Sequence, residues 1–168
     1  MDDIHPDFVR KTKQVLAYLK PKIDEYDTLL SGNVILQERL RNIGVLPAAR
    51  AIALGCTGPV LRASGVPYDL RKCEPYGVYA QADFDVPVGA KGDCWDRYCV
   101  RIEEMRQSIR IVEQLIDGIP DGPHATVKFG ARIKVPEGIH YGQIETARGI
   151  LGVTIAADGK SDAPYRLR

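Results

Sequence analysis

Asp69 is the residue best placed for chemistry in this chain. It sits in the run VPYDLRK, where a carboxylate follows a proline and a tyrosine and precedes Arg71 and Lys72. Two kinds of work fit that setting. The carboxylate can close an Asx-turn or pair with Arg71, which is local structural duty. It can also stand in a loop wall and orient a polar headgroup or a proton donor. Around it runs a cationic series, Arg62, Arg71, Arg97, Arg101, Arg106 and Arg110, interleaved with acids. Most charges of this kind serve helix flanks or subunit interfaces.

Other chemistries are poorly served. Cys56, Cys73, Cys94 and Cys99 form no CxxC pair and have no histidine at finger-like spacing, so they read as reduced, buried thiols and no metal is expected. His5, His124 and His140 are scattered beside proline, glycine or turn signals, and none is assigned a catalytic role. The glycines of GCTG and GAKGD fit neither the dinucleotide fingerprint nor the P-loop, and turn chemistry accounts for them. The chain is therefore not expected to bind NAD by itself.

The elements that must position these residues follow from periodicity. Residues 7–30 carry two helical apolar stripes, and Pro21 between them predicts a kink or a break. Asn33 is placed to cap a helix running to about residue 42, and Pro47 opens a short Ala-rich one closed by Gly55. Residues 56–90 are rich in glycine and proline with no sustained period, and loops of that length are often functional. Asp93 caps the main helix, with Asp96 in capping-box position. Trp95, Cys99, Ile102, Met105, Ile109, Val112 and Ile116 then mark one buried stripe over roughly 25 residues, or about 37 Å, which assigns Trp95 and Met105 to the core. Arg101–Glu104, Glu103–Arg106 and Arg110–Glu113 are i,i+3 pairs on its flanks.

Beyond residue 138 apolar and polar residues alternate as in strands, with Arg148–Gly149 and Asp158–Gly159 as turns and a third strand within residues 164–168. The fold class is α+β: a helical body over residues 1–122, holding the long central helix and a loop at 56–92, with an antiparallel β-meander over 123–168, in one domain. A net charge of +1 leaves no electrostatic footprint for nucleic acid. No run approaches the roughly 20 apolar residues of a membrane span, so a soluble or peripheral protein is expected.

The blocks LRASG, YDLRK, FDVPVG, GDCWDRYC and RIEEMRQS, in that order within residues 58–108, resemble the quinone-site subunit of respiratory complex I, the 49 kDa or D subunit of NADH–quinone oxidoreductase. NVILQERLRNIG and EGIHYGQIETARGILGVTIAADGKSDAPYRLR extend the resemblance over residues 24–168. It implies a fold similar to the large subunit of nickel–iron hydrogenases. It also implies a neighbouring subunit that carries the terminal iron–sulfur cluster, with quinone held between the two walls. NADH, flavin and the iron–sulfur clusters would belong to partner subunits, and quinone reduction would be coupled to proton translocation. The place implied is the peripheral arm, on the cytoplasmic face of the bacterial inner membrane.

In that family the headgroup-binding tyrosine and histidine lie in an N-terminal sheet, and an aspartate hydrogen-bonded to the histidine corresponds to Asp69. Asp69 is the one quinone-site residue the resemblance transfers. Gly77 departs from the family, which commonly carries an aspartate there. Because that sheet and the family's C-terminal segment have no counterpart among these residues, a fragment, an engineered truncation or a shortened paralogue is expected, inactive by itself. Two rivals remain: a membrane-bound hydrogenase-type large subunit, whose nickel would need paired CxxC motifs, and a non-catalytic scaffold or assembly paralogue.

Overall fold

Asp93 starts the helix around which everything else packs. Its carboxylate accepts the Asp96 N–H at 2.8 Å and, from across the chain, the Asn42 N–H at 2.8 Å. In the computed structural model, which describes residues 4–122, 134–161 and 163–168, the capped helix runs from Cys94 to Leu115 and ends in a 3-10 turn at Ile116–Gly118. It is the sixth helix, α6. Asp96 does not close a capping box. Its carboxylate reaches further back and accepts the N–H groups of Ala90, Lys91 and Gly92 at 2.9, 2.5 and 3.2 Å, winding the preceding loop around the helix start.

Five shorter helices precede it: α1 (Phe8–Tyr26), α2 (Val34–Leu40), α3 (Ala48–Ala53), α4 (Gly58–Ala63) and α5 (Leu70–Cys73). Of the kink or break expected at Pro21, the break is absent. α1 passes through Pro21 and continues as a wider π turn at Asp27–Ser31. Leu16 and Ile23 flank the proline and both pack against Ile102 and Ile109 of α6, so tertiary packing holds the helix through a local defect. Asn33 caps α2 as expected, accepting the Ile35 and Leu36 N–H groups, although the helix ends at Leu40. Pro47 occupies the N-cap of α3 rather than its first turn. The stretch read as irregular at 56–90 contains α4, α5 and a 3-10 turn at Tyr79–Gln81. These are too short for an apolar period to register.

α6 has two buried faces where one stripe was expected. Ile102 and Ile109 meet α1, while Ile111, about 200° round the helix from Ile109, packs with Ala82 and Phe84 from the loop. Met105 and Val112 are exposed, and Trp95 is half-buried beneath the Arg41 guanidinium. With both faces covered, the helix's charges find partners on neighbouring elements. Of the three expected i,i+3 pairs only Glu103–Arg106 forms; Arg110 pairs with Asp83 and Asp85, Glu113 with Lys20 and Glu104 with Arg62.

The C-terminal meander is antiparallel in the order β1 (Gly138–Thr146), β2 (Gly149–Ala157), β3 (Arg166–Leu167). Thr146 pairs with Gly149, which makes Ala147 and Arg148 the hairpin turn, one residue earlier than expected. The predicted boundary near residue 123 and His124 lie outside the described residues. The hairpin turn abuts the start of α4. Thr57 Oγ1 accepts the Ile150 N–H at 3.0 Å, and a Cβ on Gly58 would run into the Gly149 Cα.

Gly58 and Gly55 offer a controlled comparison, since both have positive φ but only Gly58 is crowded by another segment. Gly55→Ala should lose about 1–2 kcal/mol from backbone strain alone. Gly58→Ala should lose about 1–3 kcal/mol more, because the hairpin must move away. Equal denaturation midpoints for the two variants would show that the hairpin contact carries no stability.

Candidate functional site

Arg62 occupies the last turn of α4 and is 1% exposed. Its Nε donates to Glu104 Oε1 at 2.6 Å, and Nη2 stands 2.5 Å from the same oxygen as an ion-pair contact. Its Nη1 donates to Glu145 Oε1 and to the Tyr68 carbonyl, each at 3.0 Å, and stands 3.5 Å from Asp69 Oδ2. One buried guanidinium thus joins α4 to the middle of α6, to β1 and to the turn leading into α5.

Asp69 is fully buried at the N-cap of α5. Its Oδ1 accepts the Arg71 N–H at 2.9 Å, the Asx geometry expected of this residue type before a helix. The same carboxylate takes the Arg71 guanidinium in a fork, Nε on Oδ1 at 2.9 Å and Nη2 on Oδ2 at 2.7 Å. Both local structural duties open to Asp69, the turn and the ion pair, are therefore formed together. Arg71 in turn lies over the Phe84 ring at 5.0 Å. Glu145 is held from both sides: Oε2 faces the Leu70 N–H at 3.4 Å, and its own N–H donates to Tyr76 Oη at 3.0 Å.

These side chains form one wall of a cavity of about 350 Å³, lined by Arg62, Arg71, Arg101, Glu104, Met105 and Glu145 among others. Asp69 does not line it. It stands behind Arg71 and Arg62 and fixes the cationic edge they present. Burial pushes the Asp69 carboxyl upward, but the Arg71 fork, its N–H and the Arg62 charge outweigh that and hold it below the usual carboxylate range. Glu104 goes the other way. Burial raises it, and the Arg62 charge and hydrogen bond only partly offset the rise. Two acids of one cluster are thus pushed apart by their settings, a pattern common where protons are handled.

Of the arginines singled out in the sequence, Arg62, Arg71 and Arg101 converge here. Arg97 binds the Gly92 and Gly44 carbonyls, and Arg106 pairs with Asp24, Asp27 and Glu103. Glu104, Glu145 and Met105 line the cavity without having been singled out as site residues. The carboxylates' one legible signal was that nearby cations exceed local acids around LRASG and YDLRK. The cysteines are free, but Cys73 is exposed and the other three are half-buried, which corrects their reading as buried thiols. Cys56, Cys73 and Cys94 border short elements or helix ends, where packing is incomplete, and Cys99 lies in the second turn of α6. Among the described residues no group of three His, Cys, Asp or Glu side chains could hold a metal ion. Asp69, Glu104 and Glu145 are all engaged by guanidinium groups.

Residues 1–131 match the family model for the respiratory-chain NADH dehydrogenase 49 Kd subunit. The NADH-quinone oxidoreductase D subunit from Desulforamulus reducens is 48% identical over 165 residues, covering 98% of this chain and 44% of the relative. A D subunit of the same enzyme from a Roseiflexus species is 45% identical over 173 residues, covering 99% of this chain and 46% of the relative. This chain therefore spans a little under half the length of these relatives. Among solved structures, a chain of the membrane-bound sulfane sulfur reductase, an archaeal respiratory membrane complex, is 39% identical with a TM-score of 0.91, over all of this chain and 46% of that one.

Two measurements probe the cluster. Arg62→Met should destabilise by about 3–5 kcal/mol, because it strands buried carboxylates without a cation. A midpoint in denaturant close to that of the unaltered chain would show that the cluster rearranges freely. Asp69 has its carboxyl lowered on folding, so the stability it adds is present above the ordinary aspartate range and is lost as pH falls through the lowered value. Asp69→Asn should accordingly flatten the acid limb of a stability–pH profile, and an unchanged acid limb would contradict the assignment.

Proposed function

The chain belongs to the family of the respiratory-chain NADH dehydrogenase 49 Kd subunit, and on that premise we propose that it forms part of the quinone-site subunit of a proton-translocating NADH–quinone oxidoreductase. The observation that carries the reading is the Asp69-backed cationic wall on the 350 Å³ cavity. A quinone headgroup offers two carbonyl oxygens and gains negative charge on reduction. Guanidinium donors held rigidly beside such oxygens stabilise that developing charge without having to reorganise. Asp69 is the positioning residue: ionised and buried, it sets the plane of Arg71 and contributes to the field that fixes Arg62. The wall is one-sided, and the opposite side would come from a neighbouring subunit bearing an iron–sulfur cluster.

In this reading NADH, flavin and the clusters reside on partner subunits, and this chain contributes neither redox cofactor nor electrons. No helix among the described residues is long and apolar enough to cross a membrane. Attachment to the membrane would therefore come through the assembled complex, with this chain in the peripheral arm at the cytoplasmic face of a bacterial inner membrane.

One observation favours a second reading. A chain 39% identical to this one, with the same fold, belongs to a complex that reduces sulfane sulfur. The framework is therefore compatible with acceptors other than quinone, and a large subunit of such a complex is the alternative.

The test uses the assembled complex carrying Asp69→Asn. Quinone-dependent NADH oxidation should fall by about 100-fold, as small misplacements of positioning groups can cause. NADH oxidation by ferricyanide, which takes electrons upstream, should stay unchanged. Full quinone activity in the variant would sink the role given to Asp69. Turnover with polysulfide but not quinone in the unaltered complex would favour the second reading.

A further inference from the structure

Charge does not balance within the buried cluster. Arg62 and Arg71 are two cations, while Asp69, Glu104 and Glu145 are three acids. Asp69 is saturated by the Arg71 fork and N–H, so Arg62 is left between Glu104 and Glu145. These two glutamates are not equivalent. Glu145 has both oxygens engaged, by Arg62 and by the Leu70 N–H, and its side chain is 3% exposed. Glu104 meets Arg62 through Oε1 alone, by the Nε hydrogen bond and the Nη2 ion-pair contact; among the described residues no hydrogen bond reaches Oε2, and its side chain, 15% exposed, forms part of the cavity wall.

We propose that Glu104 Oε2 is a proton-binding site, loaded and unloaded through the cavity, which neutralises the surplus negative charge of the Arg62 cluster. Carboxylic acid at Oε2 leaves Oε1 free to keep the Nε hydrogen bond and the Nη2 contact from Arg62, so protonation needs no rearrangement of the wall. The groups that face it set the balance. From α4, Arg62 disfavours the proton, as does Arg71 from α5. Asp69 at the α5 N-cap favours it, and Glu145 on β1 competes for the same guanidinium. Arg101, one turn earlier on α6, lines the same cavity but turns one donor to the Arg97 carbonyl. Burial raises Glu104 and the Arg62 interactions do not fully cancel the effect, which agrees with the geometry. The site is independent of whether the cavity receives quinone.

The sign of the linkage is opposite to that of Asp69. A glutamate raised on folding binds its proton more tightly in the folded chain than in the unfolded one. Its effect is to lower stability as pH rises from the ordinary glutamate range through the raised folded value.

The experiment is a carbon-13 titration of the glutamate side-chain carboxyl carbons in this chain, each assigned by through-bond connection to its own backbone. The Glu104 carbon should titrate at higher pH in the folded chain than in the same chain unfolded by urea. Glu104→Gln, whose amide reproduces the neutral acid, should remove that resonance. Glu145→Gln should move the Glu104 midpoint down, because one competing negative charge is gone. A Glu104 midpoint at or below the unfolded value would overturn the proposal, as would insensitivity to Glu145→Gln. The sequential assignment keeps the test decisive even if Glu104→Gln does not fold.

Discussion

A guanidinium removed from water must find partners for its donors, because leaving a buried charge unpaired costs several kcal/mol, on the order of 3–5. Arg62 meets that demand with groups that no single element could supply. Its acceptors lie on α6, on β1 and in the turn before α5, and two of them are 42 and 83 residues away in sequence. One planar cation therefore ties the helical body to the meander, alongside the Thr57–Ile150, Leu70–Glu145 and Tyr76–Glu145 contacts. Lysine could not replace it, since its flexible point charge lacks the planar fork that donates to Glu104 through Nε while Nη1 is directed at Glu145 and Tyr68. Arg62 and Glu145 belong both to the cavity wall and to the joint between the two halves.

The chain returns past α4 against the backbone of the residue that carries this guanidinium. The run GAKGD lies across the C-terminal end of that helix, where carbonyls lack intrahelical partners. The Gly89 N–H donates to the Arg62 carbonyl at 3.0 Å and the Gly92 N–H to the Ala63 carbonyl at 3.1 Å. The approach is so close that a Cβ on Gly89 would stand 2.5 Å from the Ala63 oxygen. The Asp96 carboxylate grips the same stretch through three N–H groups, so the start of α6 and the end of α4 are clamped together. Glycines that read as turn residues turn out to serve backbone contact between two helices.

What the sequence made legible was whatever depends on near neighbours. The Asn33 and Asp93 caps and the Asx geometry of Asp69 involve partners within a few residues, the meander pairs strands consecutive in sequence, and each is present. What it obscured depends on distant partners. Pro21 is tolerated because Leu16 and Ile23 rest on α6. The single stripe on α6 failed because Phe84 and Ala82 cover a second face that the helical period could not reveal. The flank charges were assigned to i,i+3 neighbours, yet Glu104 and Arg110 reach other segments instead. Asp69 was found from its local motif. Glu104 and Glu145 are ordinary surface residue types until Arg62 is placed between them.

The contrast between Asp69 and Glu104 follows from the same local logic. Desolvation acts on both and pushes both toward the neutral form. They differ in the donors they collect. Asp69, as an N-cap, receives an N–H and a full guanidinium fork from a residue only two positions on, so its partner arrives with the helix that it starts. Glu104 sits mid-helix on α6, where its own backbone offers no free N–H, and it depends on a cation that is also claimed by β1. Folding thus produces one acid whose charge is fixed by secondary structure and another whose charge depends on a tertiary partner it must share. Around the cavity, that division separates an anion held behind the wall, which orients its cations, from an acid in the wall that shares its cation with β1.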